Sequence, residues 1–214
     1  MAAIEAREIS FFRDGAWAIE DISFSVEIGE FLGIEGPNGG GKSTLIKVLA
    51  GILKPDRGEA LLFGYEARKT PFQIGYMPQE RGENLSFPIN AIETVKMGFL
   101  PNKKPNEREA LDALERLGAA GLARKKIGEL SGGERARVFL ARAIVGGVKA
   151  LLLDEPTSCI DANGDIEIAK TLLELKKTTA IVCVSHDRSR LREDADRVIT
   201  INKSVVGDEI LRND

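Results

Sequence analysis

The sequence predicts an α/β fold: a β-rich opening, a helical insert and a closing βαβ unit. Three observations carry this. A glycine-rich run at 36–44 stands between a strand pattern and a helix pattern. Two unbroken apolar runs, Ala150 to Asp154 and Ala180 to Ser185, end in polar residues, as parallel strands covered on both faces do. Between them and the opening, roughly residues 84–147, apolar side chains recur at helical spacing.

In chain order, Ile4 to Ser10, Ile22 to Ile28 and Phe31 to Glu35 read as strands, with Gly15 and Gly29 in turns. Residues 42–53 read as a helix with Leu45, Ile46, Leu49 and Ile52 on one face, closed by Gly51 and Pro55. Glu59 to Phe63 returns as a strand. Ala110, Leu111, Leu114 and Leu117 mark a helix that Gly118 stops. Another starts after Ser131, runs through Val138, Ala141 and Val145, and ends at Gly146-Gly147. Ile166, Ala169, Leu172 and Leu173 mark a helix between the two apolar strands, and Val198 to Ile201 is a further strand. No internal repeat or long linker interrupts the pattern, so the 214 residues read as one domain, with lobes at about 1–83 plus 148–214 and 84–147.

Composition narrows the function. The chain has 30 basic and 33 acidic residues, a net charge of -3, which makes no broad field for nucleic acid. Cys159 and Cys183, the only cysteines, lack metal-ligand spacing and read as small buried residues of a reduced protein. Residues 1–10 lack the basic flank and apolar core of a signal peptide. No apolar run approaches the roughly 20 residues that span a bilayer, so any work at a membrane is expected to be done by docking.

Gly36-Pro37-Asn38-Gly39-Gly40-Gly41-Lys42-Ser43-Thr44 fits G-x-x-x-x-G-K-[ST] and lies between strand and helix, the context that pattern requires. Its glycines let successive N–H groups face one phosphate, and the helix start adds a favourable partial charge. Lys42 neutralises β- and γ-phosphates, and the Ser43 hydroxyl is a Mg²⁺ ligand. A nucleoside triphosphate site follows; the reaction does not.

The strand at 150–154 ends in Asp154-Glu155. Ligands gather beyond the C-terminal ends of parallel strands. There Asp154 is placed to hold Mg²⁺, and Glu155 to polarise the attacking water. His186, the only histidine, follows the other apolar strand and is placed for the γ-phosphate and the same water.

Leu130-Ser131-Gly132-Gly133-Glu134 resembles the signature of ABC transporter ATP-binding subunits, and the motif order matches over roughly residues 4–202. The resemblance implies a P-loop NTPase fold of ABC type: a mixed, mainly parallel core sheet, an antiparallel β subdomain and an inserted helical subdomain. It implies that Gln79 contacts Mg²⁺ and water, and that Asp161, in Pro156 to Asp161, lies in a loop crossing the dimer interface. Phe12 aligns with the aromatic that stacks on adenine; Phe11 and Trp17 compete for that role. Ser131, Gly132 and Gly133 would serve the ATP of a second subunit, so that two head-to-tail copies complete two sites. Expected partners are therefore a like or similar ATPase subunit, transmembrane permease subunits and, for an importer, a solute-binding protein, at the cytoplasmic face of a membrane; no nucleic acid is expected.

Four residues, at three places, depart from the family pattern. Glu134 replaces a glutamine, Phe12 a tyrosine, and Cys159-Ile160 an Ala-Leu pair. None removes a catalytic group; a carboxylate at 134 either weakens binding of the partner's nucleotide or points away from it. Residues 87–98, FPINAIETVKMG, resemble importers of zinc, manganese and metal chelates, or simply form the packed face of a short helix. A separate C-terminal regulatory domain, of the kind that some sugar importers carry, is not expected. A soluble ABC ATPase of DNA repair or translation would bring tandem units or a coiled-coil insert. A GTPase would need an aspartate where Val205 follows Asn202-Lys203. A non-enzymatic ATP-binding module would not need both Glu155 and His186.

Overall fold

The computed structural model describes residues 2–70, 74–79, 88–99, 104–156 and 162–211, without the side chains of 162–166 and 190. Asp161, Cys159 and Ile160 lie outside the described residues.

The opening forms an antiparallel sheet. Strands β1 (Ile4–Arg13) and β2 (Ala16–Val26) make a hairpin whose two turn residues, Asp14 and Gly15, both have positive φ, the geometry that matches strand twist. The observed β2 starts earlier than Ile22 and ends before Ile28, because pairing with β1 extends it to Ala16 while Ile28 sits exposed in a turn. After β3 (Phe31–Glu35) and α1 (Lys42–Leu49) come β4 (Arg57–Leu62) and the short β5 (Tyr65–Glu66), which complete the order β2-β1-β4-β5. Helix α1 is shorter than the expected 42–53. The left-handed Gly51 ends it, and Ile52 is exposed.

Next come β6 (Ile74–Met77), α2 (Ala91–Lys96), α3 (Glu107–Glu115), α4 (Gly132–Ile144) and β7 (Ala150–Asp154), then α5 (Ala162–Lys176), β8 (Ala180–Val184), α6 (Arg188–Asp194), β9 (Arg197–Asn202) and β10 (Ser204–Ile210). The second sheet runs β10-β9-β3-β8-β7-β6, parallel except for the β9–β10 hairpin. Strands β3, β7 and β8 are buried along their whole length, which is why they read as continuous apolar runs.

The parallel sheet separates two cores. Leu151, Leu153, Ile181 and Cys183 face α2, α3, α4 and α5, whereas Leu152, Val182 and Val184 face α1 and the antiparallel sheet. In α3 the buried face is Ala110, Ala113 and Leu114, and Leu111 turns outward. The short helix at 91–96 is real and capped by Asn90, and Ala91, Thr94 and Val95 are buried in it. No described helix is long and apolar enough to cross a membrane.

Candidate functional site

One cleft of about 380 Å³ is lined by Ala18, Asn38, Gly39, Gly40, Gly41, Lys42, Ser43, Thr44, Gln79, Glu155 and His186. That volume lies in the range of small-molecule sites. The loop from β3 to α1 forms its floor. A Cβ on Gly36 would lie 2.0 Å from the Ile201 carbonyl oxygen, and one on Gly41 2.3 Å from Ile19 Cγ2 and 2.5 Å from the Ala18 carbonyl oxygen. Both glycines have positive φ, so space and conformation exclude a side chain twice over. The β9–β10 turn holds the loop from behind: Lys203 N–H donates to the Gly40 carbonyl at 2.9 Å. Lys203, with Ile201 behind Gly36, is thus a buttress of the loop, a role with no sequence signal.

Lys42 Nζ donates to the Gly36 and Pro37 carbonyls at 2.8 and 2.9 Å, folding the lysine back across its own loop. Burial holds the Lys42 pKa below the ordinary lysine value, Glu155 and Asp154 oppose that shift, and Arg188 adds to it. Ser43 Oγ donates to Oδ1 of the buried Asp154 at 3.1 Å. Tyr76 on β6 stands near the same carboxylate, and burial with that charge pushes its phenol up to about 12.

Glu155 has φ 56, an uncommon left-handed conformation for a residue with a side chain, and its N–H donates to the Val184 carbonyl at 3.0 Å. This turn at the end of β7 aims the carboxylate into the cleft. Gln79 Nε2 donates to Glu155 Oε2 at 2.7 Å, and His186 Nε2 lies 2.6 Å from Glu155 Oε1. A carboxylate offers about four lone-pair sites, so these two contacts leave room for a water proton.

Phe12 stands beside the cleft, not in its lining. It is exposed, packs edge-on to Trp17 at 5.2 Å, and pairs with it across the hairpin one residue before Ala18. Arg57 covers a face of Trp17, at 4.7 Å, and Phe11 packs against the core, so Phe12 keeps the more open ring.

Ser131, Gly132 and Gly133 lie away from this cleft, at the start of α4. Ser131 Oγ accepts from the Glu134 N–H at 3.2 Å, and Glu134 Oε2 accepts from the Ser131 N–H at 2.9 Å, a reciprocal capping box. Lys125 Nζ approaches Glu134 Oε1 at 3.3 Å. These bonds, led by the Ser131 N–H, hold the Glu134 carboxyl below its usual pKa. Its charge is therefore folded back onto the helix start and balanced by Lys125.

The model of the family described as "ABC transporter" matches residues 19–158. The zinc uptake system ATP-binding protein ZurA of Listeria innocua is 37% identical, over 96% of this chain and 84% of its own. The manganese transport system ATP-binding protein MntB of Listeria monocytogenes is 36% identical, over 88% of this chain and 82% of its own. Among solved structures, CbiO1 of Clostridium perfringens, part of the CbiONQ ABC transporter complex, superposes with a TM-score of 0.82 at 31% identity, covering 98% and 89% of the two chains.

Proposed function

The chain belongs to the ABC transporter family of ATP-binding subunits, and on that premise we propose that it drives uptake of a divalent metal ion, zinc or manganese, through a membrane partner. It is an ABC-type ATPase. The hydrolytic part of the reading rests above all on one observation: the phosphate loop, Gln79, Glu155 and His186, far apart in sequence, line one cleft; the metal part rests on the likeness to ZurA and MntB.

In this reading the loop amides from Asn38 to Thr44 cradle the β- and γ-phosphates, and Lys42 moves from the Gly36 and Pro37 carbonyls to the phosphate oxygens. Ser43, Asp154 and Gln79 would hold magnesium. Their hydroxyl, carboxylate and amide oxygens are hard donors suited to it, and Ser43 and Asp154 are already in contact. When bound, that ion supplies charge neutralisation at the phosphates. Glu155 takes a proton from the attacking water, and Gln79 and His186 hold its carboxylate in place. Phe12 stacks on adenine.

Ser131, Gly132 and Gly133 then act on the nucleotide of a second ATPase subunit, identical or similar, in a head-to-tail pair. The helical lobe carrying α2, α3 and α4 meets the permease subunits at the cytoplasmic face. A solute-binding protein supplies the metal on the other side.

The test is reconstitution in proteoliposomes with the membrane subunits that co-purify. ATP-dependent accumulation of Zn²⁺ or Mn²⁺ is expected. Glu155→Gln should cut phosphate release by about 10²–10⁴ while nucleotide still binds. Hydrolysis without movement of either ion would overturn the metal assignment; unchanged turnover in Glu155→Gln would overturn the base.

A further inference from the structure

Strand β3 is buried on both faces, yet it ends in a carboxylate, Glu35. Taking a carboxyl group out of water is costly, and an ion pair does not always return that cost, so one placed here calls for a physical account. We propose that Glu35 is a positioning residue for hydrolysis, fastening α6 to the strand that enters the phosphate loop and thereby setting His186 against Glu155. The proposal rests on the reading of His186 and Glu155 as hydrolytic groups.

The geometry carries it. The Glu35 side chain is 6% exposed. Its Oε1 accepts from Thr200 Oγ1 at 3.1 Å and from Arg192 Nη2 at 3.4 Å. Its buried Oε2 makes no hydrogen bond among the described residues and lies 3.8 Å from Arg188 Nε. Arg188 and Arg192 are one helical turn apart, so both reach one carboxylate from the same side of α6. Arg192 also donates to Glu209 on β10 at 2.8 Å, which ties the hairpin into the cluster.

Close packing surrounds this clamp. A Cβ on Gly33 would lie 2.8 Å from Leu191 Cγ, so only glycine lets α6 sit this near β3. The Ser185 N–H reaches the Ile34 carbonyl at 3.4 Å. On one side of Glu35, the next residue is Gly36, whose carbonyl receives Lys42. On the other side, α6 begins two residues after His186, which touches Glu155. A single carboxylate therefore spans the phosphate loop and the histidine segment.

The experiment measures kcat and KM for ATP, with fluorescent-nucleotide affinity, in Glu35→Gln, Arg192→Gln and the pair, each also in a His186→Ala background. Glu35→Gln keeps the size and a partner for Thr200 but loses the charge. We expect kcat to fall roughly 10-fold, within the about 10²-fold that a small misplacement can cost, while KM and affinity stay within about 2-fold. The two substitutions should be non-additive, and neither should lower the residual rate of His186→Ala further. A wild-type kcat in Glu35→Gln, even with lowered thermal stability, overturns the proposal. So does an undiminished further loss in the His186→Ala background. Should Glu35→Gln fail to fold, Arg188→Gln and Arg192→Gln, at side chains 63% and 38% exposed, carry the test, and full activity in both overturns it. If His186→Ala itself hydrolyses at the wild-type rate, the underlying reading of the site fails; if only that variant is impaired, the positioning role alone fails.

Discussion

The phosphate loop and the start of α4 are both helix N-termini, each assigned to a nucleotide in the proposed function, yet they are held in opposite ways. The loop from Gly36 to Lys42 is gripped from outside by Ala18 and Ile19 of β2, by Ile201 of β9 and by Lys203 of the turn after it, and its cap residue Gly41 has no side chain to contribute. The α4 start is held by its own residues, Ser131 and Glu134, with Lys125 nearby. The first site depends on the whole fold. The second is finished locally and left facing outward, which is the form expected of a half-site that a second copy completes. Changes at the loop should therefore be felt through distant strands, and changes at α4 only through its own cap.

The largest effect is expected from Lys42→Ala. Charge-assisted hydrogen bonds contribute about 1.5–3 kcal/mol, so nucleotide affinity should weaken by roughly 10- to 100-fold in a fluorescent-ATP titration. Retained affinity would break the claim that the cradle is the nucleotide site.

Gly41→Ala should come next. Positive φ costs about 1–3 kcal/mol for a residue with a Cβ, and the clash with Ile19 and Ala18 adds to it. A drop of roughly 2–4 kcal/mol in denaturant-derived stability is expected. A neutral result would show that the strands of the antiparallel sheet yield, and the contrast between an externally gripped loop and a self-held helix would weaken.

Ser131→Ala should cost about 1 kcal/mol of stability, typical for a lost cap. Hydrogen exchange should speed up at the first amides of α4 and not in the phosphate loop. Exchange that spreads to the loop would mean that the two sites are coupled within one chain. The smallest effect belongs to Glu134→Gln. Glutamine still accepts from the Ser131 N–H, so the capping box survives and only the Lys125 contact is lost. ATP-driven dimer formation, followed by size exclusion with the slow Glu155→Gln background, should change by less than about 2-fold, as for an exposed ion pair. A large gain in dimer would show that the carboxylate does repel the second nucleotide.

Much of this organisation was legible in the chain itself. The glycine-rich loop, the strand ending in Asp154-Glu155 and the strand before His186 are local patterns whose periods and end residues announce their place at the C-terminal ends of parallel strands. Other parts carried no local signal. The parallel strand at 74–77 is a four-residue run that becomes a strand by pairing with β7. Leu111 fits a helical stripe but turns outward, because α3 meets its neighbours through Ala110, Ala113 and Leu114. The Glu134 carboxylate looked like a threat to a neighbouring nucleotide until its bond to the Ser131 N–H gave it a structural partner.

Sequence alone determined what is set by short-range chemistry: which residues curl into a phosphate cradle, which strands are buried on both faces, and which helix starts are capped. Tertiary structure decided the rest. It brought Gln79 and His186 onto the two oxygens of Glu155, set Ile201 behind Gly36, and placed Arg188 and Arg192 over Glu35. The reason is physical: such contacts join residues many positions apart, and their distances are set by how the sheet and helices pack, which no run of neighbouring residues encodes.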